Sequence, residues 1–247
     1  MNDVKVSVVV PVYNCEKYIT EALNSVLKQE VEWECIIIDD HSTDGTATEV
    51  EKFLTDKRFR YIYNEHNMGV AAGRNLGVSM ARGRYIAFLD GDDYWMPDKL
   101  IKQLKLMEEK RAVLSSTGRE LMDENSRLSG KIITIPEVIT YNALLKGNVL
   151  NTSGVMVRRD AALKYPMKED HLHEDYIMWL SILKEYGKAY GINEPLLKYR
   201  VLKGSKSANK LKSAKMTYGV YRYMGMSRFR SMYYFCFYAV RGLKKYL

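Results

Sequence analysis

Leu89-Asp90-Gly91-Asp92-Asp93 puts three carboxylates within four residues, directly after a run of branched and aromatic side chains. Such a cluster repels itself unless a cation neutralises it. A divalent ion takes hard oxygen ligands from one or two carboxylates and completes its shell on substrate phosphates, and Gly91 lets the backbone come close. The plain alternative is a solvated turn that caps the helix begun at Pro97. Asp39-Asp40 follows a second apolar run in the same way. A carboxylate there accepts the imide N–H of uracil or thymine, whereas cytosine presents an acceptor; guanine also has donors on that edge, and capping after Ser42-Thr43 needs no ligand at all.

The stretch Asn67-Met68-Gly69-Val70-Ala71-Ala72-Gly73-Arg74-Asn75 joins glycines at a helix start with an arginine and two amides, groups that suit phosphate oxygens. Taken alone it reads as close helix packing plus a surface ion pair, and it has neither the GxGxxG nor the Walker spacing. His171-Leu172-His173-Glu174-Asp175 has the ligand order of part of a dinuclear metal centre. Tyr176 stands where a further histidine is wanted, and only His41 and His66 remain elsewhere. Acid/base work is the better use: Glu174-Asp175 opens a helical pattern containing Trp179, Leu180 and Leu183, and a carboxylate facing a cleft there takes a proton from a bound hydroxyl. Simple capping is again the alternative.

These residues need elements to hold them. Val4–Tyr13, Trp33–Asp39, Phe59–Tyr63 and Arg84–Leu89 read as strands starting 29, 26 and 25 residues apart, with a helical pattern in each gap. Strand and helix alternating at this period predict βαβ units and a parallel sheet. Ligands bind beyond the carboxyl ends of such strands, which is where Tyr13-Asn14, Asp39-Asp40, Asn64 to Asn67 and Asp90 to Asp93 fall. Further on, the pattern predicts a helix over 97–110, strands over 112–117, 152–158 and 196–201, and helices over 139–145 and 175–186. Turn signals fall at Asp123–Gly130, Gly147-Asn148 and Gly187. From Ser207 the chain reads as one or two helices broken near Gly219 and Gly225.

The 247 residues, 47% of them hydrophobic, are enough for a sizeable core and exclude a wholly disordered or collagen-like chain. Three scattered cysteines, Cys15, Cys35 and Cys236, fit a reducing compartment and argue against a disulfide framework or a structural zinc site. The net charge of +8 is carried entirely by the end of the chain. Pro195–Leu247 holds 13 Lys and Arg and no Asp or Glu, so residues 1–194 carry a net −5. This points to an anionic partner for the tail, a membrane surface or a nucleic acid. No signal peptide is visible, and the longest apolar run, Met232–Val240, is nine residues, too short to span a bilayer. On a helical wheel Met232, Phe235, Cys236, Ala239, Leu243 and Tyr246 share a face, with Arg230, Arg241, Lys244 and Lys245 opposite. That pattern predicts either packing on the body or docking on an anionic membrane.

Taken together, VSVVVPVYNCE (6–16), IIIDDHSTDGT (36–46), NMGVAAGRNLG (67–77), GRYIAFLDGDDYWMP (83–97) and EDYIMW (174–179) resemble glycosyltransferase family 2, inverting sugar-nucleotide-dependent enzymes. Later stretches are similar to those of bacterial enzymes that build capsule, lipopolysaccharide or teichuronic-acid-type glycans. The resemblance implies an α/β GT-A fold, a Rossmann-like and mainly parallel sheet flanked by helices, with a basic C-terminal helical extension. It divides the chain into a catalytic domain at 1–205, with a nucleotide-binding half (1–110) and an acceptor half (111–205), and a tail at 206–247. It implies that Pro11, Tyr13, Asn14 and Glu16 contact the nucleoside, that Asp39 reads the base, and that Asn67 and Arg74 belong to the donor site. Asp90-Gly91-Asp92 matches the DXD motif, Asp92 holding Mn²⁺ or Mg²⁺ on the diphosphate and Asp90 lying near the ribose and metal waters. Asp175 matches the general base, with Trp95, His173 and Glu174 toward the acceptor. Some members have a histidine after the strand ending at Tyr199-Arg200. Val201-Leu202-Lys203 stands there in this chain, and Arg200 or Lys203 would supply compensating charge.

The implied reaction moves a sugar, as a UDP-hexose or UDP-N-acetylhexosamine, to a glycan or polyprenyl-linked acceptor at the inner face of the cytoplasmic membrane. No nucleic-acid partner is expected. Two other functions use the same residues differently. A sugar nucleotidyltransferase also needs paired carboxylates, but it carries a glycine-rich basic loop after the first strand, which Pro11–Glu16 lacks. A nucleic-acid-binding module would use the tail's cations and eight tyrosines and leave the acidic strand ends idle.

Overall fold

The computed structural model describes residues 4–202 and 210–244. The first half alternates as the spacing predicts: β1 (Val6–Val12), α1 (Ile19–Leu27), β2 (Trp33–Asp39), α2 (Thr46–Glu51), β3 (Phe59–Tyr63), α3 (Val70–Met80) and β4 (Tyr85–Phe88). The chain continues through β5 (Tyr94–Trp95), α4 (Lys99–Glu109), β6 (Leu114–Met122), β7 (Leu128–Ile133), β8 (Val138–Thr140) and α5 (Tyr141–Leu145). A 3₁₀ turn (Thr152–Gly154) leads into β9 (Met156–Arg158), α6 (Arg159–Lys164), α7 (Glu174–Tyr186), β10 (Lys188–Arg200), α8 (Lys210–Tyr223) and α9 (Arg228–Lys244).

One sheet runs β3-β2-β1-β4-β9-β6-β10-β5, with β7 on β6 and β8 on β10. β3, β2, β1 and β4 are mutually parallel, while β9 runs antiparallel to both β4 and β6. The reversal matters for function. It brings the start of β9, with the turn at Thr152–Gly154, to the sheet edge where β1, β2 and β4 end. β1 and β2 are covered on both faces, which is why they read as near-continuous apolar runs. Alternate residues of β1 feed two cores: Val9 joins Ile36, Phe88 and Trp179 on one face, and Val8 and Val10 join Leu23, Ile37 and Trp95 on the other. On the first face α3 lies close against β1, since a Cβ at Gly77 would overlap the Val9 side chain.

Several boundaries differ from the expected ones for identifiable reasons. The predicted strand over 152–158 begins as the 3₁₀ turn, and the predicted helix over 139–145 begins as β8 because the Thr140 side chain caps α5, accepting the Ala143 N–H at 3.2 Å. The turn signal at Asp123–Gly130 belongs to a hairpin whose second strand, β7, is almost wholly exposed and so has no burial pattern to betray it. β10 extends the expected strand at 196–201 back to Lys188. In the tail the chain breaks at Gly225, at φ 80°, while Gly219 stays inside α8, where it lets Leu172 approach. Both tail helices are packed on the body, since Val220, Tyr221, Met226 and Tyr234 share one core with Trp179. Residues 206–209, Lys203, Lys245 and Tyr246 lie outside the described residues.

Candidate active site

The ends of β1, β4 and β10, the starts of α3 and α7 and the turn before β9 enclose a cavity of about 480 Å³. Its lining includes Pro11, Tyr13 and Asn14 around the end of β1, Asp90 and Asp92 after β4, and His173, Glu174 and Asp175 at the start of α7. Three stretches separated by more than 70 residues in sequence thus meet around one space.

Hydrogen bonds between loops shape the first wall. Asn14, at φ 49°, donates its N–H to Ser42 Oγ (3.0 Å) and accepts the Thr43 N–H on Oδ1 (2.8 Å). Glu16 accepts the Gly45 N–H at 2.7 Å. It fastens the first loop to the second. Asp39 is also tied to its neighbours. It is fully buried, one oxygen accepting the Ser42 N–H and the other the Tyr61 hydroxyl, each at 2.7 Å. Burial and this carboxylate both push the Tyr61 phenol up. Asp40 accepts the N–H groups of Met68 and Gly69 at 2.8 and 2.7 Å, and Asp170 crowds the same turn. The N-terminus of α3 is therefore filled by the protein's own carboxylates. Asn67 bonds the Gly69 N–H at 3.2 Å and does not line the cavity.

Arg74 is a clamp. Its Nη2 meets Asp90 Oδ1 at 2.5 Å and its Nη1 meets Glu174 Oε1 at 3.1 Å, with the side chain 6% exposed. Burial opposes the charge, but the two partner carboxylates outweigh it and hold the guanidinium's proton more tightly than usual. Arg74 and Glu174 both line the cavity, and these pairs position the Asp90 loop against the start of α7. Trp95 is 2% exposed, donates its indole N–H to Ser153 O at 2.7 Å, and carries the Lys99 ammonium 3.9 Å above its ring. It packs in the core with Leu100 and Leu197.

Asp92 is half-buried and lines the cavity. Partial burial and then the neighbouring Asp90 raise its carboxyl to about 6, with Arg200 and Arg74 pulling the other way. Asp93 is buried, and burial together with Asp92 and Asp90 pushes its carboxyl up; it accepts the Arg200 N–H at 2.8 Å. Arg200 lines the cavity, with its guanidinium engaged by neighbouring groups. Its Nε donates to Asp92 O (2.7 Å), its Nη1 to Asp123 O (3.1 Å) and Ser126 Oγ (2.9 Å), and its Nη2 pairs with Glu21 (2.5 Å). The side chain thus fixes the carboxylate loop from behind.

Asp175 stands at the start of α7 with both oxygens oriented. Oδ2 accepts the Thr152 hydroxyl at 2.9 Å and Oδ1 the Tyr176 N–H at 2.7 Å. His173 lines the cavity and its Nε2 sits 3.2 Å from both Ser213 O and Oγ, tying α8 to the segment that carries Asp175. Sequence reasoning missed Thr152 and Ser213. Hydroxyls in unremarkable surroundings gave no signal, and their partners lie 23 and 40 residues away.

A sequence profile described as Glycosyl transferase family 2 matches residues 7–165 of this arrangement. The chain belongs to that family. The glycosyltransferase is 41% identical over 245 residues to TuaG of Bacillus subtilis (strain 168), whose name places it in teichuronic acid biosynthesis, covering 98% of this chain and 97% of TuaG. It is 36% identical over 249 residues to WfgD of Escherichia coli, named as a UDP-Glc:α-D-GlcNAc-diphosphoundecaprenol β-1,3-glucosyltransferase, covering 100% and 96%. Among solved structures, S. aureus TarS 1-349 in complex with UDP-GlcNAc superposes with a TM-score of 0.73 at 23% identity, over 88% of this chain and 64% of that one. A mannosyltransferase from Pyrobaculum calidifontis, solved with GDP-Man and Mn²⁺, gives 0.71 at 17%, over 91% and 65%. The glycosyltransferase therefore has the expected GT-A fold.

Its carboxylates fit a cation held chiefly by substrate. Among the described residues no three His, Cys, Asp or Glu side chains converge on a metal-sized site. Asp92, crowded by a like charge, is a ligand of the kind that an ion bound through one or two carboxylates and two phosphates requires.

Proposed function

We propose that the chain transfers a hexosyl or N-acetylhexosaminyl group, with inversion, from UDP to a hydroxyl of a lipid-linked glycan in cell-surface polysaccharide synthesis. The observation that carries this reading is that Asp175, aimed by Thr152 and the start of α7, opens onto the same cavity as Asp90 and Asp92. A base and a diphosphate site lining one cavity suit a single in-line displacement.

In that displacement Asp175 takes the acceptor hydroxyl proton, the acceptor oxygen bonds to the anomeric carbon, and the bond from that carbon to the diphosphate breaks, releasing UDP. Pro11, Tyr13 and Asn14 enclose the nucleoside, and His173 borders the acceptor. Mn²⁺ or Mg²⁺ on Asp92, with Asp90 beside it, would neutralise charge on the leaving diphosphate when bound. The choice of UDP is supported by the name of WfgD, and Asp39 is the residue proposed to read the uracil imide. A polyprenyl diphosphate-linked acceptor is supported by the name of WfgD.

The test is product formation from UDP-glucose or UDP-N-acetylglucosamine and a synthetic polyprenyl diphosphate-linked N-acetylglucosamine. UDP release that depends on both substrates, with a β-configured anomeric signal by NMR, is the expected result. An α-linked product overturns inversion, and pyrophosphate release from UTP and a sugar phosphate overturns the reaction class.

A further inference from the structure

From the sequence, the apolar stripe of α9 and the basic tail predict docking on an anionic membrane, with packing on the body as the alternative. In the structure one side of α9 packs on the body and another faces outward. Ser231 and Tyr234 turn into the body, whereas Phe229 is 91% exposed, Met232 51%, Tyr233 55% and Val240 52%. At 100° per residue these four and exposed Cys236 occupy an arc of roughly 100°, directly opposite the buried side. An outward apolar stripe is the reverse of what a helix packed on a soluble domain presents. Arg228 and Arg230, both exposed, lie on its two flanks.

The stripe continues across the helix pair. Leu211, 80% exposed, shares a groove with Ala214, Lys215, Tyr218, Met232 and Phe235, between the outer faces of α8 and α9. Lys212, Lys215 and Arg222 border this surface, and no carboxylate occurs from Pro195 to Leu247. A second copy of the chain would bring the same cations to the same face, so self-association is opposed electrostatically. An apolar strip edged with cations is the pattern of a helix lying in the headgroup layer of an anionic bilayer.

We propose that the outer face of the α8–α9 pair is a docking surface for anionic lipid, with Phe229, Met232, Tyr233, Val240 and Leu211 entering the interface and Lys and Arg contacting the headgroups. Docking bears directly on the site. Ser213 of α8 touches His173, and Leu172 packs against Gly219, so the platform that meets the lipid also carries the segment leading to Asp175. The inference extends the glycosyl-transfer reading by stating which side of the molecule faces a lipid-linked acceptor. Lipid binding is measured without turnover, so either statement fails alone.

The experiment is co-sedimentation of the full chain with phosphatidylcholine vesicles, pure or containing about 30% phosphatidylglycerol. Binding to the mixed vesicles at least about tenfold tighter than to neutral ones is expected, weakened but not abolished by high salt. Phe229→Ser/Met232→Ser/Val240→Ser should weaken it about tenfold or more at an unchanged melting temperature, because all three side chains already face solvent. Arg228→Gln/Arg230→Gln should lower affinity for the mixed vesicles alone. Equal binding to both vesicles, or full binding by the triple variant, overturns the proposal. So does a dimer in sedimentation velocity that the triple variant dissolves, since the stripe would then be a contact between copies.

Discussion

At the scale of single residues, Arg74 joins two carboxylates that line the cavity. Arg74→Met removes the ion pairs to Asp90 and to buried Glu174, and the expected cost is about 3–5 kcal/mol, read from the urea midpoint. Arg74→Met/Glu174→Gln should recover a large part of it. No recovery would mean that Arg74 acts through packing alone. Glu34 supplies a pH dependence away from the site. It is 1% exposed; burial opposes its charge, but bonds from Ser7 and Arg82 outweigh burial and lower its carboxyl below the ordinary 4.5. A depressed carboxyl stabilises the fold above its unfolded value and loses that contribution as pH falls through its folded value. Glu34→Gln should therefore be less stable at neutral pH, with the difference shrinking below about pH 4 in melts at stepped pH. A constant difference across that range would contradict the assignment. At this scale residue type singled out Asp90, Asp92, Asp175 and Arg74 as candidates, and all four line the cavity. The pairing of Arg74 with Asp90 and Glu174 was not legible, since the three lie up to 100 residues apart.

Among elements, the loops after β1, β2 and β4 owe their shape to one another more than to their own sequences. Arg200, at the end of β10, reaches the Asp92 carbonyl, the Asp123 turn and Glu21 of α1. Lysine offers one point charge where the guanidinium offers a planar fork of donors. Arg200→Lys is accordingly expected to raise the donor KM by about tenfold while kcat falls less. An unchanged donor KM would show that the Asp92 loop holds its shape without this clamp. The first four strands were legible because a buried parallel strand is an uninterrupted apolar run. β7 was not, being exposed along nearly its whole length, and the turn before β9 was hidden because its residues are as branched and small as a strand's.

For the molecule as a whole, the order β3-β2-β1-β4-β9-β6-β10-β5 explains how residues from Pro11 to Asp175 surround one cavity. The parallel half could be inferred from its period, and the family resemblance supplied the rest of the GT-A plan. The antiparallel insertion of β9 between β4 and β6 could not be read, since it depends on pairing between segments some 70 residues apart. Yet that insertion delivers Thr152 to Asp175. The proposed role of Asp175 as base, distinct from donor binding, is tested most directly by Asp175→Asn, with kcat from UDP release and donor affinity from calorimetry on the same preparation. The account predicts a kcat lower by about 10²-fold or more with donor affinity changed by less than about threefold. A variant that loses donor affinity but keeps kcat would contradict it.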